Sequence, residues 1–96
     1  MRFEWDEKKA AANLRKHKVS FLEAVSVFYD PMSATGNDPD HSMDERRFVT
    51  FGLSASGRLL VVAHADRRAS DGNDAIRIIS ARPAKRAEKA IYEETH

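Results

Sequence analysis

Cysteine is absent from this sequence, so the chain carries neither disulfides nor thiolate ligands for a metal ion. Long apolar runs are also missing, and none approaches the roughly 20 residues that cross a bilayer. The N-terminal stretch Met1–Asp6 lacks the apolar core of about 7–15 residues that is typical of a secretion signal. These absences predict a cytoplasmic protein with no membrane partner.

Glycine and proline are scarce, with four and three residues respectively in a chain of 96. Hydrophobic residues make up 42% of the chain and charged residues 32%, a composition typical of globular proteins. The length suits one modest hydrophobic core. We therefore expect residues 1–96 to form a single domain.

The net charge of +1 hides a strong segregation of charge along the chain. Residues 30–45 contain five acids and no lysine or arginine, whereas residues 46–68 contain five arginines and one aspartate. Residues 77–89 contain five cations and one glutamate. Segregated charge indicates a charged partner, and a solvated surface of mixed sign is the alternative.

The first half of the chain contains signals for a short strand, two helices and a long loop. Asp6 is a typical N-cap, and Ser20 with Glu23 has the spacing of a capping box. The residue before a proline avoids the α region, so the second helix is expected to end at Asp30. The predicted elements are a strand over Arg2–Trp5, a helix over Glu7–His17, a helix from Phe21 to Asp30, and an acidic loop over Pro31–Glu45.

The second half predicts a meander followed by a helix. Ser54–Gly57 is a hairpin turn signal, and residues 65–74 form a polar link. Strands joined by short turns pair antiparallel, so the fold class is α+β: a small antiparallel sheet with two N-terminal helices and one C-terminal helix. The predicted elements are strands over Arg46–Leu53, Arg58–His64 and Ile76–Ala81, and a helix from Pro83 to about Glu94 with an inner face of Ala84, Ala87, Ala90 and Ile91.

Three cations, Arg82, Lys85 and Arg86, stand at the start of the last predicted helix. A helix N-terminus is positive, so these charges cost about 0.3–1 kcal/mol each unless an anion is present. A phosphate would reverse that cost, held by the backbone N–H groups and bidentately by Arg82. The alternatives are cations that extend into solvent, or an Arg86 paired with acids of the loop.

Strand alternation predicts which side chains share a face. In the last strand it groups Ile76, Ile78, Ser80 and Arg82 against Arg77, Ile79 and Ala81. In the strand before it, His64 shares a face with Leu60 and Val62. We therefore expect His64, Ser80 and Arg82 near one rim of the sheet, where His64 can act as a general acid or base. The alternative is a hydrogen-bonded structural histidine.

Metal ligands are not predicted from the sequence. The four histidines include no close pair, and the acids between Asp38 and Glu45 do not match the spacing of a calcium loop. We expect neither a metal ion nor another cofactor.

Three segments resemble a known family, the BrnT toxins of bacterial type II toxin–antitoxin systems. They are FEWDEKKAAANLRKHKVSFLEAVSVFYDP at 3–31, DERRFVTFGLSASGRLLVVAHADR at 44–67 and IRIISARPAKRAEKAIYEE at 76–94. The resemblance implies a RelE-like fold and a metal-independent endoribonuclease that inhibits translation. It also implies a cognate antitoxin with a ribbon-helix-helix DNA-binding domain, operator binding only through that antitoxin, and leaves open a homodimer of the toxin within the complex.

Within this resemblance, our hypothesis gives each candidate residue a role in RNA cleavage. Arg82 holds the scissile phosphate, with Arg77 or Arg46 as alternates, and His64 or Glu45 transfers the proton. The other RNA-binding candidates are Lys85 and Arg86 on the RNA backbone, Ser80, and Tyr92, which either stacks on a base, donates a proton or packs on the sheet edge.

A different class of function stays open beside the ribonuclease. The same basic side chains suit a non-catalytic module that acts only as the partner of an antitoxin in an operon-repressing complex. A chain that binds DNA by itself is less favoured, because no predicted helix is basic along one face.

Overall fold

The computed structural model describes residues 2–38, 46–68 and 74–95. It confirms the α+β class. A five-stranded sheet has the order β1-β5-β4-β3-β2, in which β1 runs parallel to β5 and the other neighbours pair antiparallel. The elements are β1 (Arg2–Glu4), α1 (Glu7–His17), α2 (Phe21–Ser26), a 3₁₀ turn (Val27–Tyr29), β2 (Ala34–Asn37), β3 (Arg47–Leu53), β4 (Leu59–Arg68), β5 (Asp74–Pro83) and α3 (Arg86–Thr95).

The helix and turn signals of the sequence form the local structures they predict. The Asp6 carboxylate accepts the backbone N–H of Lys8 at 2.8 Å and caps α1. The Ser20 hydroxyl accepts the N–H of Glu23 at 3.0 Å and caps α2. The Ser54–Gly57 hairpin turn also forms, with Gly57 at φ 84°, a conformation that favours glycine. Short-range chemistry therefore decides these boundaries.

One face of the sheet is covered by α1 and α2, and we call it the covered face. Its centre is formed by side chains with at most 2% exposure, from both the helices and the sheet. Asn13 of α1 adds three buried hydrogen bonds, to the Val19 carbonyl and to both backbone groups of Ala81. The buried cluster consists of Val19, Phe21, Ala24, Val27, Leu60, Val62, Ile78 and Ala81.

The opposite face, which we call the open face, is packed by neither α1 nor α2. Because partners in an antiparallel ladder point to the same side, the register assigns it Val49 and Phe51 of β3 and Val61 and Ala63 of β4. Strand β2 borders this face, and its four residues are all exposed. The sheet thus has one face committed to the core and one that borders solvent.

Several predicted boundaries are wrong for identifiable reasons. The acidic loop contains an additional strand, β2, whose residues show no apolar alternation but pair with β3. The polar link 65–74 is strand at both described ends, because β4 and β5 continue pairing as far as Arg68 and Asp74. Within the described residues, no helix is long and apolar enough to cross a membrane.

The last helix starts later than predicted. Strand β5 continues to Pro83, which pairs with Leu60, so α3 begins only at Arg86. Ala84 is buried, but the rest of the predicted inner face is not: Ala87 and Ala90 are exposed, and Ile91 is 58% exposed. Helix α3 is therefore not attached to the sheet by a packed apolar face.

Candidate active site on the open face

A β-bulge in β5 sets the arrangement of the candidate site. Ser80 pairs with Ala63 and Ile78 with His64, which leaves Ile79 as the extra residue. An extra residue reverses the alternation on one side of it. The predicted grouping of Ser80 and Arg82 with Ile78 is therefore wrong, because Ile78 lies in the covered core.

The bulge instead brings Arg77 to the same face as Ser80 and Arg82. These three pair with Ala65, Ala63 and Val61 respectively, which alternate along β4 on the open face. Arg47 pairs with Ala65 from the other side, so it shares this face with Arg77. The open face thus carries cations near both ends of an apolar centre.

A groove of about 740 Å³ runs over this apolar centre. Strand β2 forms one wall, and α3 contributes Glu88 and Ile91 to the other. Half-buried Phe51 offers an aromatic surface in the floor. The rest of the floor and its basic end consist of Val49, Val61, Ala63, Ser80 and Arg82.

Arg82 is engaged by Glu88. Both terminal nitrogens of the Arg82 guanidinium donate to the Glu88 carboxylate, each at 2.8 Å. The same carboxylate accepts the backbone N–H of Lys85 at 2.7 Å, just before α3. These contacts, the Arg82 hydrogen bonds first, lower the pKa of Glu88 to about 2, and they raise the pKa of Arg82. The sequence predicted an anion beside Arg82 and Lys85, and in the free chain the Glu88 carboxylate takes that position.

The two cations at the start of α3 are exposed. Lys85 and Arg86 point away from the buried part of the chain, as the solvated alternative predicted and as contacts to an RNA backbone also require. Lys85 contributes its charge as well as its N–H to holding Glu88 ionised. The pair therefore adds positive potential to the basic end of the groove.

Tyr92 faces away from the groove. Its hydroxyl donates to the Asp30 carboxylate at 2.7 Å, which raises the pKa of Tyr92 to about 12. Asp30 also accepts the backbone N–H groups of Met32 and Leu53. Tyr92 lines a separate cleft with Leu59. This contact attaches α3 to the end of the sheet.

His64 lies on the covered face and is 3% exposed. Its Nε2 is 2.7 Å from the Thr50 hydroxyl, and its ring stacks on Phe48 and meets the edge of Phe28. Burial lowers the pKa of His64, and the charge of Asp66, 3.9 Å from Nδ1, acts in the opposite direction. The expected rim shared by His64, Ser80 and Arg82 is wrong, because the bulge turns Ser80 and Arg82 to the open face while His64 stays on the covered face with Leu60 and Val62.

The remaining candidates are separated from the groove or lie outside the described residues. The guanidinium carbon of Arg46 is 5.9 Å from the centroid of the Phe48 ring, which places Arg46 beside the surroundings of His64. Glu45 lies outside the described residues. Across the described ranges, no three His, Asp or Glu side chains converge as metal ligands.

Two residues of the open face, Glu88 and Arg47, were not among the site residues predicted from the sequence. The signal for Glu88 is a glutamate three residues after Lys85, the capping-box spacing, close to a preceding arginine. Arg47 was missed although it alternates with Val49 and Phe51 in a predicted strand.

The fold is that of a small α+β ribonuclease toxin. The 1.1 Å crystal structure of the Brucella abortus ribonuclease toxin BrnT superposes with a TM-score of 0.67, covering 90% of this chain and 99% of that one at 22% sequence identity. The BrnT family, described as ribonuclease toxins of type II toxin–antitoxin systems, matches residues 5–88, and the chain belongs to it. The predicted resemblance is confirmed. Among curated proteins, no significant match to the sequence was found.

Proposed function

We propose that this chain is a metal-independent endoribonuclease toxin that inhibits translation by cleaving RNA on the open face of its sheet. Membership of a family of ribonuclease toxins supports the activity. The observation that carries the location is the bulge at Ile79, which groups Arg77, Ser80 and Arg82 on the face that α1 and α2 leave uncovered. Our proposal assigns the scissile phosphate to this face.

RNA cleavage without a metal ion requires cations that stabilise the negative charge of the transition state. When a base removes the proton of the 2′-hydroxyl, its oxygen attacks the phosphorus, the bond to the 5′-oxygen breaks and the leaving 5′-oxygen takes a proton. Negative charge meanwhile grows on the two non-bridging oxygens. The planar guanidinium of Arg82 matches two such oxygens with parallel N–H donors. The Ser80 hydroxyl supplies a neutral donor on the same face, and Arg77, at the other end of the apolar centre, is placed for another phosphate of the strand. Lys85 and Arg86 contact neighbouring phosphates.

Proton transfer is the second requirement, and our hypothesis retains two candidates for it. His64 is buried among Phe28, Phe48 and Thr50, on the face opposite Arg82, so it can transfer the proton only for RNA that reaches the covered face. Glu45 is the other candidate. A Glu45→Gln and a His64→Gln variant separate them, because only loss of the acting group removes a limb of the pH–rate profile.

The floor of the groove supports single-stranded RNA as the substrate. Aromatic and apolar surface binds unpaired bases by stacking, with little dependence on base identity. Phe51 and its aliphatic neighbours provide that surface beside Arg82. A base on Phe51 and its phosphate on Arg82 occupy one continuous site.

A cognate antitoxin completes the proposal. Type II membership implies a protein antitoxin. We propose that it carries a ribbon-helix-helix DNA-binding domain, neutralises the toxin by covering the open face, and alone contacts operator DNA. Two toxin chains within the complex are part of the same proposal.

A second candidate function, a non-catalytic partner of the antitoxin, is favoured by two observations. Arg82 is bound to Glu88 in the free chain, and His64 is buried. In that case the basic end of the groove serves only to bind acidic groups of the antitoxin.

Incubation of purified protein with RNA in EDTA distinguishes the two. We expect cleavage that survives chelation and falls by about 10²–10³-fold in Arg82→Ala, the loss typical of one charge-stabilising donor. Arg15→Ala, an exposed arginine at the end of α1, is the matched control and should cleave normally. Cleavage that depends on added metal contradicts metal independence, and a folded wild-type chain that never cleaves supports the second candidate.

A further inference from the structure

We infer that Glu88 is an internal competitor of RNA: its carboxylate occupies Arg82, and phosphate binding requires its release. The inference rests on the proposed function, since it presumes that Arg82 binds RNA. In the free toxin, the Glu88 carboxylate would then block the phosphate site at Arg82.

The donors that Glu88 uses are those a phosphate would use. Two parallel N–H groups of Arg82 at 2.8 Å and one backbone N–H of Lys85 at 2.7 Å converge on one carboxylate. Arg–carboxylate and Arg–phosphate pairs share this bidentate geometry. A phosphate and Glu88 therefore cannot hold the Arg82 donors together.

The contact is accessible from solution. The Arg82 side chain is 33% exposed and that of Glu88 21% exposed, and both line the groove. A desolvated pair would resist exchange, whereas a pair at the margin of an open groove is screened and can be replaced. The exposure therefore fits a contact that opens without unfolding the chain.

The attachment of α3 also fits release of Glu88. Ile91 is 58% exposed, and the contacts that join the helix to the rest of the chain include two polar ones, Glu88 with Arg82 of β5 and Tyr92 with Asp30 after the 3₁₀ turn. Glu88 and Tyr92 stand one turn apart on α3. Loss of the first contact leaves the second in place, so α3 can shift while the apolar cluster under α1 and α2 is undisturbed.

The charges of the groove favour the same conclusion. Among described residues, its charged lining consists of Asp38, Arg82 and Glu88. While Glu88 is in place, acids outnumber the arginine, which disfavours a polyanion. Moving Glu88 out leaves Arg82 as the charge at the α3 end, near exposed Lys85 and Arg86.

A positioning role for Glu88 makes the opposite prediction. If Glu88 only orients Arg82 for RNA, removing its charge weakens binding. If it competes, the same change strengthens binding. Glu88→Gln tests this with little change of shape, because the amide oxygen can still accept the Lys85 N–H.

The experiment measures the affinity of a non-cleavable 2′-O-methyl RNA oligonucleotide by fluorescence anisotropy at constant salt. We expect Glu88→Gln to bind about tenfold more tightly than wild type, the effect of about 1.4 kcal/mol. Arg82→Ala should bind more weakly, and the double variant should match Arg82→Ala, since the gain requires the arginine. Glu93→Gln, the same charge change at an exposed position of α3, should differ from wild type by less than about twofold.

The outcomes separate this inference from the proposed function. Weaker or unchanged binding by folded Glu88→Gln overturns the inference, while weak binding by Arg82→Ala still supports the RNA site. Normal binding by folded Arg82→Ala overturns both. If Glu88→Gln does not fold, the carboxyl ¹³C resonance of Glu88 in the wild-type chain decides: on oligonucleotide binding we expect it to move toward that of exposed Glu93, and an unchanged resonance contradicts release.

Discussion

The two faces of the sheet are built by different means. On the covered face, Val62 is fully buried and Ile78 is 1% exposed beneath α1 and α2. Beside the open face, Ile91 of α3 is 58% exposed and half-buried Phe51 lines a groove. Burial of apolar area is the main source of stability. The covered face therefore supplies the hydrophobic core, whereas the open face leaves apolar side chains in contact with solvent.

Two arginine–glutamate pairs repeat this contrast. Arg58 and Glu23 join the hairpin to α2, and Glu23 also accepts hydroxyl groups of Ser54 and Ser56. Arg58 further donates to the Lys18 carbonyl. This pair links segments distant in sequence and has no place in the groove. The Arg82 pair links neighbours six residues apart, inside the groove. The first serves the fold, and the second serves the site.

Replacing isoleucine by alanine should change stability very differently on the covered face and beside the open face. Ile78→Ala should lower the free energy of unfolding by about 2–5 kcal/mol, because it opens a cavity in the core. Ile91→Ala should lower it by less than about 0.5 kcal/mol, since most of its side chain is already in water. Urea unfolding of both variants measures the difference, and equal losses would show that α3 belongs to the core.

A second pair compares two glycines of neighbouring strands. A Cβ at Gly52 would lie 2.8 Å from Cγ1 of Val27 and 3.2 Å from its carbonyl oxygen. We expect Gly52→Ala to cost about 1–3 kcal/mol through overpacking. Gly36→Ala on β2 meets nothing within 4 Å and should be nearly neutral. Thermal unfolding distinguishes them, and a neutral Gly52→Ala would contradict the close approach of the 3₁₀ turn to β3.

The two glutamates provide a third comparison. We expect Glu23→Gln to lose about 1–2 kcal/mol of stability, the range for a partly exposed hydrogen-bonded charge. Glu88→Gln should lose less, because Glu88 accepts no hydroxyl groups from the described residues and its pair joins neighbouring residues instead of distant segments. The Arg58 hydrogen bonds lower the pKa of Glu23 from 4.5 to about 2. The stability this shift supplies is present above pH 4.5 and is lost as the pH falls toward 2. The free energy of unfolding, measured by urea titration at several pH values between 4.5 and 2, should therefore depend less on pH for Glu23→Gln than for wild type.

The smallest effect concerns His64. Burial lowers its pKa from 6.5, so the unfolded chain binds the proton more readily than the folded one. The stability linked to neutral His64 is complete above pH 6.5 and decreases as the pH falls below it. We expect this decline to be absent in His64→Gln. A wild-type stability that rises on acidification from pH 7 to 5.5 would contradict the burial of His64.

Local signals of the sequence predicted the fold well where they are self-contained. Asp6, Ser20 and the Ser54–Gly57 turn each act through hydrogen bonds within a few residues. Strand β2 escaped prediction because its residues Ala34–Asn37 include no large apolar side chain and are exposed at an edge. Its pairing depends on β3, which the local sequence does not contain.

The site was predictable in its residue types and not in its arrangement. The cluster of cations around Arg82 indicated an anion, and Glu88 fulfils that role within the free chain. The bulge at Ile79 has no glycine or proline to signal it, so strand alternation assigned Ser80 and Arg82 to the face of Ile78 and His64 instead of the open face that they share with Arg77. One inserted residue is enough to exchange the faces.

Binding of RNA to the open face can be followed by amide NMR with the non-cleavable oligonucleotide. We expect chemical-shift changes concentrated at Val49, Phe51, Ser80, Arg82 and the start of α3, with α1 and α2 unaffected. Changes concentrated at Arg46, His64 and the helices of the covered face would contradict binding to the open face.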